Sequence, residues 1–202
     1  MVAFGKFTVG GYLAATQSAI AASLDDPAFA DSVTRAAQVC LAALQQGGKV
    51  LLAGNGGSAA DAQHMAGEFV SRFYFDRPAL PAVALTVDSS ILTAIANDYG
   101  YDQVFSRQVE ALGQPGDVFI GISTSGRSPN VLRGIAAARE RGLKVIVLTG
   151  SGSSGGTMAE LADVAICAAS GETPQIQQVH IIAGHAICAA VEAAMFADRQ
   201  PG

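Results

Sequence analysis

His64, Glu68 and Arg72 follow one another at intervals of four residues. If the stretch is helical, this spacing puts all three side chains on one face. An imidazole one turn before a carboxylate is typical of a metal-binding pair or of an acid/base pair. A single histidine or glutamate is more often a solvated surface residue, but this face begins beside a glycine-rich loop. The pattern therefore favours proton-transfer or metal chemistry next to a bound ligand.

A second set of polar side chains interrupts an apolar stretch near the end of the chain, and it consists of Gln177, Gln178, His180 and His185. For either histidine alone, a subunit contact with satisfied polar groups is the more common explanation. On a helix, Gln178 and His185 are almost eclipsed, whereas Gln177 and His185 are about 80° apart around the axis. Both pairs can reach a common centre, so helical geometry leaves the choice of glutamine open.

Two loops rich in glycine and serine are candidates for binding an anion. Residues 54–58 read Gly-Asn-Gly-Gly-Ser and residues 123–129 read Ser-Thr-Ser-Gly-Arg-Ser-Pro, each between an apolar run and a helical pattern. Free N–H groups, the helix dipole and hydroxyl donors favour phosphate at such a position. Neither loop matches the dinucleotide fingerprint or the P-loop, so NAD and nucleoside triphosphates are disfavoured. One such loop is more often only a turn and a helix cap, but two of them favour phosphate binding.

Short apolar runs alternate with helical patterns after residue 46, which predicts an open parallel sheet. The predicted strands, buried on both faces, are 49–53, 82–86, 117–123, 144–149 and 163–168. The predicted helices are 58–72, 89–97, 101–112, 128–141, 157–161 and a long, almost wholly apolar helix over 173–196. Residues 1–46 are expected to be a helical extension of a single domain, 1–202, with a break near residues 25–27. Both loops then lie at carboxyl ends of strands and face one crevice, where the strand order reverses.

The composition limits the partners and the compartment. The 202 residues carry a net charge of −5 without a Lys/Arg cluster, which argues against nucleic acid and anionic membranes as partners. The sequence contains no apolar run of about 18 residues, and its start lacks the pattern of a signal peptide. Three isolated cysteines suit buried thiols in a reducing compartment. A cytoplasmic protein is expected, in which loops hold any phosphate locally.

At these residues the sequence resembles the sugar isomerase (SIS) domain family, and within it the isomerases of seven-carbon sugar phosphates. The matching segments cover nearly the whole chain and are jointly highly specific. They are 54–64 (Gly-Asn-Gly-Gly-Ser-Ala-Ala-Asp-Ala-Gln-His), Glu68, Arg72, 96–100 (Ala-Asn-Asp-Tyr-Gly), 121–126 (Gly-Ile-Ser-Thr-Ser-Gly), Ser128, Ile176, Gln177 and His185.

The resemblance implies a fold, an activity and an assembly. The fold is a flavodoxin-like three-layer α/β sandwich with a five-stranded parallel sheet, N-terminal helices and a long C-terminal helix. The activity is the conversion of sedoheptulose 7-phosphate to D-glycero-D-manno-heptose 7-phosphate through an enediol, the first step towards nucleotide-activated heptose and products such as lipopolysaccharide. The assembly is a homotetramer with active sites between subunits.

The resemblance also implies roles for individual residues. Glu68 and His185 are the expected acid/base pair, with Glu68 as the base. Substrate and phosphate are expected to contact Asn55, Gly56, Gly57, Ser58, Arg72, Asn97, Asp98, Ser123, Thr124, Ser125, Ser128 and Gln177, with Thr173 as a further contact. Zinc, one ion per subunit, is expected on His64, Glu68, Gln177 and His185, which selects Gln177 over Gln178.

Two other functions are compatible with the loops. Some SIS-type proteins are non-catalytic phosphosugar-binding modules, including a bacterial factor that associates with the replication initiator. Others isomerise or sense a different phosphosugar, such as a pentose or amino sugar. The non-catalytic relatives lack the acid/base pair, so the presence of Glu68 and His185 favours an enzyme.

Overall fold

Five parallel strands form one sheet in the computed structural model, which describes residues 7–151 and 156–199. The strands are β1 (Val50–Gly54), β2 (Ala82–Ala84), β3 (Val118–Ile122), β4 (Lys144–Gly150) and β5 (Val164–Ala168). Their spatial order is β2-β1-β3-β4-β5. The five predicted strands are confirmed, with end differences of one or two residues that are normal for strand assignment.

The helices also follow the predicted order. They are α1 (Val9–Leu24), α2 (Pro27–Gln45), α3 (Gly57–Val70), α4 (Ser89–Tyr99), α5 (Ser106–Leu112), α6 (Pro129–Glu140), α7 (Met158–Leu161) and α8 (Thr173–Met195). The break between α1 and α2 arises because Asp26 caps α2, accepting a hydrogen bond from the N–H of Ala28, and Pro27 starts the helix. Residues 1–6 of the predicted extension 1–46 lie outside the described residues.

One predicted helix, 101–112, is divided in two. Residues 101–103 form a 3₁₀ turn, and α5 begins only at Ser106. Between them the side chains of Val104 and Phe105 enter the core, and the Ser106 hydroxyl donates to the carbonyl of Gln103 at 3.2 Å. Burial of these two side chains and the hydrogen bond of the Ser106 hydroxyl therefore interrupt the helix that was predicted to be continuous.

Helices cover both faces of the sheet, because successive strand residues point to opposite sides. Leu52 and Ile120 pack with α2, α3 and α8. Their neighbours Leu51 and Phe119 pack with α5, α6 and α7. The result is the expected three-layer α/β sandwich.

The central strands β1, β3 and β4 are buried on both faces apart from Lys144, as predicted. The edge strands are not, because Val83 in β2 and Cys167 in β5 are exposed, so the expectation that all three cysteines are buried is wrong for Cys167.

The strand order reverses between β1 and β3, so the loops after these two strands share one edge of the sheet. The turn after β1 is very tight. A Cβ on Gly54 would lie 2.6 Å from the carbonyl oxygen of Ser58, so only glycine fits there. The sequence thus brings the N-terminus of α3 directly against the end of β1.

α8 is long and apolar enough to span a membrane by length and composition alone, but it packs into the core of the fold. Its buried stripe includes two polar side chains, His180 and Glu192. The imidazole of His180 is completely buried, and its Nε2 lies 3.1 Å from the carbonyl oxygen of Thr149 at the end of β4. His180 therefore fastens α8 to the sheet.

His180 should make the protein less stable in acid. Burial lowers the pKa of His180 to about 4, and the hydrogen bond to Thr149 opposes this only in part. Between pH 6.5 and 4 the unfolded chain binds a proton that the folded chain excludes, so stability falls as the pH falls, by at most about 3 kcal/mol. Denaturant titrations of the parent and of His180→Gln, which retains a donor towards Thr149, will test this. The parent is expected to lose more stability in that window, and parallel curves would contradict the assignment.

Candidate active site

An open cleft of about 310 Å³ lies between the two glycine and serine loops. Nine of the predicted substrate-binding residues line it: Asn55, Gly56, Gly57, Ser58, Ser123, Thr124, Ser125, Ser128 and Gln177. Thr173, which was expected as a further substrate contact, and Ile122 complete the lining. The fold thus joins residues from three distant parts of the chain in one cleft.

The cleft is built to hold an anion. Gly57, Ser128 and Thr173 place the N-termini of α3, α6 and α8 around it, and each such end favours negative charge. The hydroxyl of Ser123 lies 2.8 Å from that of Ser128 and 3.5 Å from that of Ser125. These hydroxyls form a compact group of donors for phosphate oxygens.

Asn130, which the sequence did not indicate, locks the two loops together. Its amide and that of Asn55 exchange two hydrogen bonds, at 2.8 and 2.9 Å, which join the loop after β1 to the first turn of α6. The hydroxyl of Tyr101 donates to the same Asn55 oxygen at 3.1 Å. Because Asn130 is buried, its two hydrogen bonds fix the orientation of the Asn55 side-chain amide at the cleft.

His64, Glu68 and His185 meet beyond the cleft, where α3 and α8 lie side by side. Nε2 of His64 is 2.9 Å from Nε2 of His185 and 3.1 Å from Oε1 of Glu68. The helices run in the same direction and approach closely, since a Cβ on Gly184 would lie 2.9 Å from the sulfur of Met65. Two residues 121 positions apart in sequence are thereby brought into contact.

The three side chains fit a metal ion. Their ligand atoms lie within 4.8 Å of one another. A single Nε2 carries at most one proton, yet that of His64 faces both the second imidazole and the carboxylate, an arrangement that a cation satisfies. Two histidines and one carboxylate also form a donor set typical of catalytic divalent metals with a position left open. The group can therefore bind a metal.

Gln177 lies on α8 eight residues before His185, away from this cluster. Its amide packs against the glycine loop, where a Cβ on Gly57 would come within 2.8 Å of its side chain. Gln177 is half-buried in the cleft, whereas Gln178 is exposed. A rise of eight residues separates the Gln177 and His185 backbones by about 12 Å. The predicted role of Gln177 as a metal ligand stays a prediction.

Arg72, Asn97 and Asp98 do not line the cleft. α3 ends at Val70, so the prediction that Arg72 continues the face of His64 and Glu68 is wrong. Asn97 and Asp98 lie in the exposed last turn of α4, where the Asn97 amide donates to the Asp98 carboxylate at 2.7 Å. The predicted contacts of these three residues with substrate stay predictions.

Asp61 is a carboxyl group that the sequence reading did not single out. It lies four residues after Gly57 and three before His64, and therefore on the face of α3 between the cleft and the cluster. Burial raises the pKa of Asp61 to about 6, although the nearby His64 opposes the rise. The helical spacing 57-61-64-68 is the sequence signal that could have identified it.

An ion pair between Arg77 and Glu192 was also missed. Nε of Arg77 donates to Oε1 of Glu192 at 2.9 Å, and both side chains are 1% exposed. Burial alone would raise the pKa of Glu192, but hydrogen bonds from the Phe73 and Tyr74 amides and from Arg77 lower it below its usual range. The sequence signal was a single charged residue in the long apolar helix.

Comparisons with known proteins agree with this architecture. Residues 12–150 match the family model described as the SIS domain. The chain is 56% identical over 184 residues to the phosphoheptose isomerase of Burkholderia pseudomallei, which covers 91% of this chain and 92% of the relative.

Two solved structures are similar over most of their length. The phosphoheptose isomerase of Neisseria gonorrhoeae superposes with a TM-score of 0.85 at 44% identity, covering 92% of this chain and 97% of the other. That of Francisella tularensis superposes with a TM-score of 0.86 at 34% identity, covering 91% and 96%.

Proposed function

The chain belongs to the SIS domain family, and we propose that it is an isomerase that converts sedoheptulose 7-phosphate to D-glycero-D-manno-heptose 7-phosphate. The main support for this substrate class is that the anion cleft and the His64–Glu68–His185 cluster lie along the same two helices, α3 and α8. From Gly57 to His64, α3 rises by about 10 Å, a distance that an extended seven-carbon chain with a terminal phosphate can span. The relatives named above support the heptose.

In this proposal the cleft anchors the phosphate, and the reacting carbons at the other end of the chain reach the cluster. The Glu68 carboxylate removes a proton from the carbon beside the ketose carbonyl and returns it to the former carbonyl carbon. His185 moves the second proton between the two oxygens, so an enediol forms and collapses to the aldose without net oxidation. The retained acid/base pair favours this enzyme over a non-catalytic binding module.

We further propose zinc as the metal, one ion per subunit. In a resting state His64, Glu68 and His185 would hold it, and Gln177 would join them if its amide turned away from Gly57. Glu68 would have to leave the ion to act as the base. A bound zinc ion would act as a Lewis acid that favours negative charge on the substrate oxygen. Measuring the zinc content of purified protein, before and after dialysis against a chelator, tests this assignment.

We propose a cytoplasmic homotetramer with active sites between subunits. α1 carries no charged residue and is mostly exposed, with Val9 and Leu13 about 60% exposed. A second apolar groove runs between α2 and α8, lined by Val33, Leu41 and Ala190 among others. Arg72, Asn97 and Asp98 lie outside the cleft of their own subunit, and in an assembly with active sites between subunits they would be available to contact a neighbouring cleft. Light scattering at micromolar concentration will give the mass, and a monomer would contradict the proposal.

The reaction is tested with purified protein and sedoheptulose 7-phosphate, with and without added zinc. Formation of the aldose, followed by NMR or chromatography, is the expected result. Pentose and hexose ketose phosphates serve as comparison substrates. Turnover of one of these alone would assign another phosphosugar, and no turnover of any by folded protein would favour a binding module.

A further inference from the structure

The ion pair of Arg77 and Glu192 lies at the C-terminal end of α3, and this helix ends two residues after Glu68. Glu192 follows His185 by seven residues on α8, so the two side chains leave that helix in almost the same direction. Two pairs of polar side chains therefore join α3 and the segment after it to α8. One is His64 with His185, and the other is Arg77 with Glu192.

The side chain of Arg77 supplies hydrogen-bond donors to the last turn of α3. The final carbonyl groups of a helix have no partner within the helix. The Arg77 guanidinium donates to the carbonyl of Glu68 at 2.7 Å and to that of Phe69 at 2.7 Å. The backbone of the proposed base is thus held directly by this side chain.

Glu192 holds the segment that follows. Its carboxylate accepts the N–H of Phe73 at 2.7 Å and the N–H of Tyr74 at 2.6 Å, in addition to the bond from Arg77. The ring of Phe73 lies 5.6 Å from the ring of His185. Through Phe73 the same carboxylate supports the second residue of the acid/base pair.

We infer that Arg77 and Glu192 are positioning residues for the isomerisation, which set where the Glu68 carboxylate and the His185 imidazole lie relative to the substrate. The inference rests on the proposed function. A buried ion pair adds little net stability compared with apolar side chains of similar size, so stability alone does not require one here. Directional donors to two carbonyls, by contrast, fix the end of a helix that would otherwise fray.

The decisive variant replaces both partners by apolar side chains, Arg77→Met with Glu192→Leu, so that no buried charge is left unpaired. Its kcat is expected to fall by about 10²-fold, the effect of a displacement near 1 Å in a reacting group. KM is expected to stay close to the parent value, because the phosphate cleft lies at the opposite end of α3. A purely structural role would not separate kcat from KM in this way.

A matched control uses the ion pair of Lys49 and Asp117. These side chains are 2.6 Å apart at the opposite edge of the sheet, and the Asp117 side chain is also buried. The variant Lys49→Met with Asp117→Leu is expected to leave kcat unchanged in whatever fraction remains folded. A milder variant, Arg77→Lys, keeps a charge opposite Glu192 but loses the planar donor fork, and its kcat is expected to fall as well.

Folding and assembly of each variant are checked by circular dichroism and light scattering before rates are compared. Equal kcat values for an active parent and for folded Arg77→Met/Glu192→Leu and Arg77→Lys would overturn the positioning role and leave the proposed function intact. A parent without turnover would instead contradict the proposed function, and with it this inference. A rise in KM with unchanged kcat would also overturn the inference, since it would place the effect in substrate binding.

Discussion

Replacing Glu68 with glutamine is expected to lower kcat by about 10²–10⁴-fold, the usual contribution of a positioned general base. Glutamine has nearly the same shape and still accepts a hydrogen bond, but it cannot take a proton from carbon. Initial rates at saturating sedoheptulose 7-phosphate measure the effect. Because Glu68 also lies in the candidate metal cluster, the zinc content of the variant is measured and the assay is repeated with added zinc.

Glu110→Gln is a suitable control, since Glu110 is exposed on α5, on the other face of the sheet. It should leave the rate unchanged. Substantial turnover by metal-loaded Glu68→Gln would remove Glu68 from the role of base. His185→Ala, tested in the same way, examines the second half of the acid/base pair.

Removing only Glu192 should have the largest effect on stability. In Glu192→Ala the Arg77 guanidinium stays buried without its carboxylate, and the N–H groups of Phe73 and Tyr74 lose their acceptor. Breaking a buried pair in this way costs about 3–5 kcal/mol, a large share of the 5–15 kcal/mol typical of a whole protein. Denaturant unfolding followed by circular dichroism measures the loss.

An exposed ion pair provides the comparison for Glu192→Ala. Arg133 and Asp102 are 2.7 Å apart, but their side chains are 54% and 38% exposed. Asp102→Asn is therefore expected to cost at most about 1 kcal/mol. The double replacement of Arg77 and Glu192 should also cost less than Glu192→Ala, because it leaves no unpaired charge. Equal losses in all three variants would contradict the account of the buried pair.

The sequence alone determined the elements and their order. Strands buried on both faces appear as unbroken apolar runs, and helix starts are marked by pairs such as Asp26-Pro27 and Ser128-Pro129. The alternation of strand and helix then leaves few topologies, because parallel crossovers are right-handed and short. The position of both loops at one edge of the sheet followed from this. The division of 101–112 did not, because it depends on tertiary burial of Val104 and Phe105.

Within the site, sequence spacing identified what lies along one helix, and tertiary structure decided what meets between helices. The interval of four residues predicted that His64 and Glu68 share a face, and their side chains are 3.1 Å apart. The contact of His64 with His185 was suggested by family resemblance, and periodicity could not have placed it. It depends on how closely α3 and α8 approach, which Gly184 and Met65 set.

The remaining features of the site belong to the tertiary structure alone. Asn55 with Asn130 and Arg77 with Glu192 join residues 75 and 115 positions apart, and no local pattern connects them. The end of α3 before Arg72 was likewise not evident from the sequence, and in the structure the Arg77 guanidinium donates to the carbonyl of Glu68 in this last turn. Local periodicity specifies a face on one element, whereas contacts between elements depend on sheet order, helix distance and the burial of charge. For this reason the sequence determined the fold and the types of chemistry, and only the tertiary structure decided which side chains act together.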